Sequence, residues 1–197
     1  MVAADSAEAW SRSTAPRHPA AVRFKWRYRD EQLSAAGRGT ARIAPPDSLR
    51  LDYASALNIR TGAGVVLGDS IARADPADDF RSLVPAVPLL WAAFGIARPP
   101  IAGAEVVGGA IPGGVVWRFV SGPDTLSYRW TDSPRQLEAE WRRGERVVAR
   151  SRTTYDAAAR PAAARIDFPD AGARFELTVL GVDTAAVIPP VLWSRRR

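Results

Sequence analysis

The one histidine, His18, stands in the segment Pro16-Arg17-His18-Pro19. An imidazole acts as a general base only beside a group that orients it and a proton within reach, and no such partner is legible around it. There is no cysteine, which removes disulfides, thiolate metal sites and cysteine nucleophiles. With a lone histidine and no thiol, a zinc site has no ligand set. Asp75, Asp78 and Asp79 gather where a helical period begins. Helix capping and the helix dipole account for them, with a divalent-ion site as the alternative. Gly103 to Gly114 is rich in glycine but lacks the closing Lys-Ser/Thr of a phosphate loop, so its glycines fit sheet bends or bulges. The expectation is a protein with no catalytic residues, no metal and no cofactor, and not an enzyme.

The residue types that remain are aromatic and aliphatic, and their chemistry is burial. In Val22-Arg23-Phe24-Lys25-Trp26-Arg27-Tyr28-Arg29, apolar and cationic residues alternate without a break. A period of two puts successive side chains on opposite faces of a strand. Phe24 and Trp26 therefore point to a core or cavity, and Arg23, Lys25, Arg27 and Arg29 to solvent. The same alternation recurs through Gly39, Ala41 and Ile43; Leu49, Leu51 and Tyr53; Val115, Trp117 and Phe119; Leu126, Tyr128 and Trp130; Leu137, Ala139 and Trp141; and Phe175, Leu177 and Val179. Further short strands are read at Leu57 to Arg60, Val65 to Leu67 and Ile71 to Ala74. The small residues at Gly39 and Ala41 leave room for large neighbours. About ten or eleven strands at this spacing make a mainly β, antiparallel sheet or barrel.

The period changes at Asp75-Pro76. Phe80, Leu83, Val84, Val87, Leu90, Trp91 and Phe94 fall at three- and four-residue spacings, an amphipathic helical stripe interrupted by Pro85 and Pro88. This predicts a helical insertion over about residues 76–95, as two short helices or one kinked one, capping an open sheet. Residues 1–20 read as a short helix through Ser6 to Ser13 or a loose arm, and residues 21–197 as one β domain. Asp183 to Val187 has the spacing for one late helical turn.

The 197-residue chain can bury a substantial core, and its net charge of +6 makes anionic partners relevant. Of 27 basic residues Lys25 is the only lysine. Arg38, Arg42, Arg50, Arg118 and Arg129 share the polar face with the first strand's cations. A nucleic-acid sheet puts stacking aromatics on the basic face; here they lie on the opposite one, so no nucleic-acid partner is expected. A solvated face or a weak contact with an anionic membrane surface remains. Met1 to Asp5 lacks the basic start and apolar stretch of a signal peptide. The aromatic rows either pack as a filled core or line a cavity under the helical insertion.

The order of elements resembles the LolA/LolB-like lipoprotein-sorting fold: a short helix, a meander, a helical insertion, a second meander and a late helical turn. Gly39 to Tyr53 is similar to that family's strand, proline turn and strand. Arg174 to Val191, ending in Ile188-Pro189-Pro190, is similar to its closing strand and exit. The resemblance implies an incompletely closed antiparallel β-barrel with a helical lid over an apolar cavity. It also implies a monomeric, non-enzymatic binder of lipid acyl chains or lipoproteins in the periplasm or at the periplasmic face of the outer membrane. On that reading Phe24, Trp26, Leu51, Trp91, Trp117, Phe119 and Trp130 line the acyl-chain site, with Leu90, Trp91 and Phe94 on the lid. The alternative is a structural or interaction module of the same fold with a filled core. The carriers have an arginine directly before the turn proline; here Ala44 stands before Pro45, and Arg42 is displaced. The lipidated cysteine of the receptor type has no counterpart.

Overall fold

The computed structural model describes residues 2–56, 61–77, 80, 86–98 and 103–193. Strand β1 (Ala20–Arg29) follows the alternation of its sequence. Val22, Phe24 and Trp26 are buried, Tyr28 is half-buried, and Arg23, Lys25, Arg27 and Arg29 are exposed. Strand β2 (Ser34–Ala44) pairs with it antiparallel and sets Gly39 opposite Phe24. A Cβ at Gly39 would lie 2.5 Å from the Phe24 ring. The missing side chain on β2 is thus what lets the β1 aromatic lie across its neighbour.

The meander continues through β3 (Ser48–Ser55), β4 (Thr61–Leu67) and β5 (Ser70–Asp75). The second meander runs through β6 (Glu105–Ile111), β7 (Gly114–Ser121), β8 (Asp124–Asp132), β9 (Arg135–Arg143), β10 (Arg146–Tyr155), β11 (Pro161–Phe168) and β12 (Ala173–Asp183). All these strands form one sheet in the order β5-β4-β3-β2-β1-β12-β11-β10-β9-β8-β7-β6. Each pairing is antiparallel. The last strand returns to pair with the first, while β5 and β6 stand at the two ends of the order, so the sheet does not close. Among the described residues the strands number twelve, against the ten or eleven expected. The glycine-rich β6, weak by composition, still pairs with β7 along its whole length.

Helix α1 (Val2–Thr14) extends beyond the Ser6 to Ser13 span read from the sequence. Ala7 and Ser11 are buried along its inner side, and the helix packs on β6. The chain crosses between the two meanders at the helical insertion. The Phe80 N–H donates to the Pro76 carbonyl at 3.2 Å, a helical hydrogen bond just after the change of period. Asp78, Asp79, Leu83, Val84 and Pro85 lie outside the described residues, as do Leu57 to Arg60. Helix α2 (Val87–Ala93) follows, with Pro88 in its first turn, where a missing N–H leaves no hydrogen bond unmade. It lies on β9, β10 and β11, and all of its residues but Pro88 are buried. The late helical turn is at Pro190–Leu192 and not at Asp183 to Val187. β12 runs on to Asp183, whose carboxylate accepts the Ala185 N–H in a plain turn.

Candidate functional site

The inward faces of β1, β3 and β12 meet the helical insertion in an apolar cleft lined by Phe24, Trp26, Leu51, Tyr53, Phe80, Leu90 and Phe175. Its volume is about 30 Å³. That is room for a water or two and well short of a usual small-molecule pocket. Aromatic edges close it. Phe24 meets Phe94 edge-on at 5.7 Å, and Trp26 meets Tyr53 at 6.2 Å. Tyr53 also contacts Phe80 at 6.4 Å. The Trp26 indole N–H donates to the Arg38 carbonyl, so the ring turns its apolar body to the cleft. Gly64 on β4 carries the Phe80 ring: a Cβ there would sit 2.1 Å from it.

The insertion is fastened by polar contacts at its carboxyl-terminal end. Buried Thr153 on β10 donates its hydroxyl hydrogen to the Ala92 carbonyl at 2.7 Å, and the Tyr155 hydroxyl donates to the Gly95 carbonyl at 3.2 Å. The Trp91 indole N–H donates to the Gly68 carbonyl in the β4–β5 turn at 2.9 Å. The Ala97 N–H donates to the Thr14 hydroxyl of α1. Arg98 then gathers several elements. Its guanidinium donates to the Pro46 carbonyl in the β2–β3 turn at 3.0 Å, lies 5.3 Å over the Trp91 ring, and comes within 4.0 Å of Asp69. Burial pushes the Asp69 carboxyl above its ordinary range, and the Arg98 charge works against that. The backbone of Arg98 both donates to and receives from the Tyr128 hydroxyl, at 3.1 and 2.7 Å. Burial holds that phenol far above its ordinary value, so it remains a neutral donor.

The structure separates the nine residues singled out as an acyl-chain site. Phe24, Trp26, Leu51 and Leu90 line the cleft, and Phe94 backs it through Phe24. Trp91 turns to the β4–β5 turn. Trp117 and Phe119 are buried on β7, where Phe119 packs on Tyr128 and Tyr128 on Trp10 of α1. Trp130 is half-buried against Tyr155 at 4.9 Å, beside a separate surface depression. The sequence reading left out Tyr53, Phe80 and Phe175. Each already stood on an apolar row or stripe, so the signal was present for all three. Among the described residues no cluster of three or more His, Asp or Glu could hold a metal ion.

No protein-family model and no curated protein matches the sequence. Solved structures do match the fold. A LolA superfamily protein of Nitrosomonas europaea superposes with a TM-score of 0.64 at 12% identity, over 99% of each chain. The chain has a LolA-like fold. A Vibrio parahaemolyticus domain assigned to outer-membrane lipoprotein sorting gives a TM-score of 0.58 at 7% identity, over 95% of this chain and 94% of that one. A DUF1329 family protein of Desulfovibrio piger gives 0.50 at 8% identity, over 94% and 93%. The fold is thus shared over more than nine-tenths of each of these chains, although few residues are.

Proposed function

We propose that this LolA-like chain is a non-enzymatic binder of acyl chains, of lipids or lipoproteins, working in the bacterial cell envelope. The observation that carries this reading is the apolar cleft between sheet and lid. It is lined by seven apolar and aromatic side chains drawn from three strands and the helical insertion. On the cleft side the lid meets the sheet through apolar contacts of Phe24, Phe94 and Leu90, whereas its hydrogen bonds to β10 lie behind it. Lifting Leu90 and Phe80 widens the cleft and breaks dispersion contacts that an acyl chain replaces. Each buried methylene returns about 0.8 kcal/mol, so six to eight supply about 5–6 kcal/mol before ordering costs. No charge is needed. No described helix is long and apolar enough to cross a membrane.

The small volume of the cleft, about 30 Å³, favours a second reading: an interaction module of the same fold with a filled core. Titration with a fluorescent fatty-acid probe separates the two. An acyl-chain binder takes up the probe, Leu90→Gln weakens it tenfold or more, at about 1.4 kcal/mol per decade, and Arg27→Glu on the outward face leaves it unchanged. A protein that takes up no probe, or one equally affected by both variants, is the filled-core module.

A further inference from the structure

Charge on the outward face of the sheet is neutralised unevenly. From β9 to β12 the outward arginines find carboxylates. Arg150 pairs with Glu140 at 2.6 Å, Arg152 with Glu138 at 2.8 Å, and Arg165 and Arg174 with Asp167 at 2.7 and 3.0 Å. β1 and the facing part of β2 differ. Arg23, Lys25, Arg27, Arg29 and Arg38 are exposed, and none makes an ion pair among the described residues. Arg38 stands directly opposite Lys25 in the ladder. Outward positions on one strand recur about every 7 Å and facing strands lie about 5 Å apart. Like charges at that spacing oppose folding, and an anionic partner relieves them.

The same stripe borders a groove. Lys25, Arg27 and Arg38 line a depression of about 580 Å³ together with the small residues Ala36 and Ala54. One acid, Glu176, also lines it, opposite Arg27 in register. Trp26 also borders the groove, but its side chain is buried and its indole N–H is spent on the Arg38 carbonyl, so among the described lining residues no exposed ring accompanies these cations. Single-stranded nucleic acid needs such a stacking platform beside the charge, whereas a sheet of lipid phosphates needs only the charge. We infer that the outward face of β1 and β2 docks on an anionic bilayer surface, with lipid phosphates entering the groove between Lys25, Arg27 and Arg38. This rests on the pairing pattern and stands whether or not the inner cleft takes an acyl chain.

The test is co-sedimentation of the full chain with phosphatidylcholine vesicles, with and without about a quarter phosphatidylglycerol, at low and high ionic strength. Docking predicts binding only to the anionic vesicles, falling as salt shortens the Debye length. Each cation near such a surface strengthens binding about fivefold. The triple variant Lys25→Gln, Arg27→Gln, Arg38→Gln should therefore bind about a hundredfold more weakly. A charge-matched variant of exposed arginines elsewhere, Arg17→Gln, Arg146→Gln, Arg160→Gln, should keep its binding. Equal binding to both vesicle types, equal loss in the two triple variants, or tighter binding to a single-stranded oligonucleotide than to anionic vesicles overturns the inference. Uptake of the fatty-acid probe by the groove variant reports on the cleft separately.

Discussion

Arg98→Met keeps the aliphatic reach of the side chain and removes its guanidinium. The hydrogen bond to the Pro46 carbonyl is lost, and because it is exposed to water it counts at the lower end for a charged donor, about 1.5 kcal/mol. The cation 5.3 Å over the Trp91 ring contributes about 0.5–1 kcal/mol. Asp69 Oδ1, buried and without a hydrogen-bond partner among the described residues, loses the charge that offsets its burial, about 1 kcal/mol more. The sum, about 3 kcal/mol, falls on contacts between the lid's exit and two turns, not on the ladder. Amide hydrogen exchange at Leu90, Phe94 and Ile96, whose N–H groups bond within the lid, should then quicken about a hundredfold. The β10–β11 ladder should stay protected. Unchanged exchange, or acceleration spread evenly over the strands, refutes the reasoning. Asp69→Asn is the companion variant. The folded-state pKa of Asp69 lies above its unfolded value. Its contribution is therefore favourable below the unfolded value and is lost as pH rises through the folded one. Asp69→Asn should be more stable than the parent at neutral pH, with the advantage vanishing in acid.

Gly64→Val drives a side chain into the Phe80 ring, where a Cβ alone would already lie at 2.1 Å; chemical denaturation should show a loss of about 1–3 kcal/mol. Trp91→Phe should cost about 1 kcal/mol more than Trp117→Phe. Trp91 gives up a hydrogen bond to the Gly68 carbonyl, whereas the buried Trp117 indole N–H has no partner among the described residues; equal thermal shifts would contradict this. Burial by itself would raise the Glu140 carboxyl, but hydrogen bonds from Arg142 and Arg150 bring it below the ordinary range. The stability it supplies is present above the unfolded carboxylate pKa and is lost as pH falls through the lowered one. The urea midpoints of parent and Glu140→Gln should converge on acidification, and a gap independent of pH counts against the ladder.

Alternation told which face a residue takes, and it did so reliably on β1, where aromatic and cationic side chains could hardly trade places. It did not tell where along the sheet that face lies. Trp117 on β7 stands six strand spacings from β1, with β12, β11, β10, β9 and β8 between them. Measured along the sheet that is about 29 Å at the usual separation of about 4.8 Å. The aromatic rows of the two meanders therefore share a face without sharing a cleft. What decides membership is the crossover. α2 leaves β5, lies on β9 to β11, and presents Leu90 toward β1 and β3. Only the strand order contains that information. Phe80 shows the complementary case, because its place depends on a missing side chain at Gly64 in a different strand.

The turn between β2 and β3 joins these lines. Its sequence departs from the carriers by lacking an arginine directly before the proline, and Arg42 nearby is committed to Asp52. Yet a guanidinium still reaches this turn. It comes from Arg98, at the exit of the lid, and donates to the Pro46 carbonyl. A fastening between lid and turn needs one cation and one carbonyl, and either element can supply the cation. Here the arginine stands at the exit of the lid, and its counter-charge, Asp69, stands in the β4–β5 turn. Opening the lid then separates a half-buried charge pair, whose strength depends on how well water reaches it. Arg98 at the exit of the lid and half-buried Asp69 in the β4–β5 turn are thus the two charges through which the lid meets these turns.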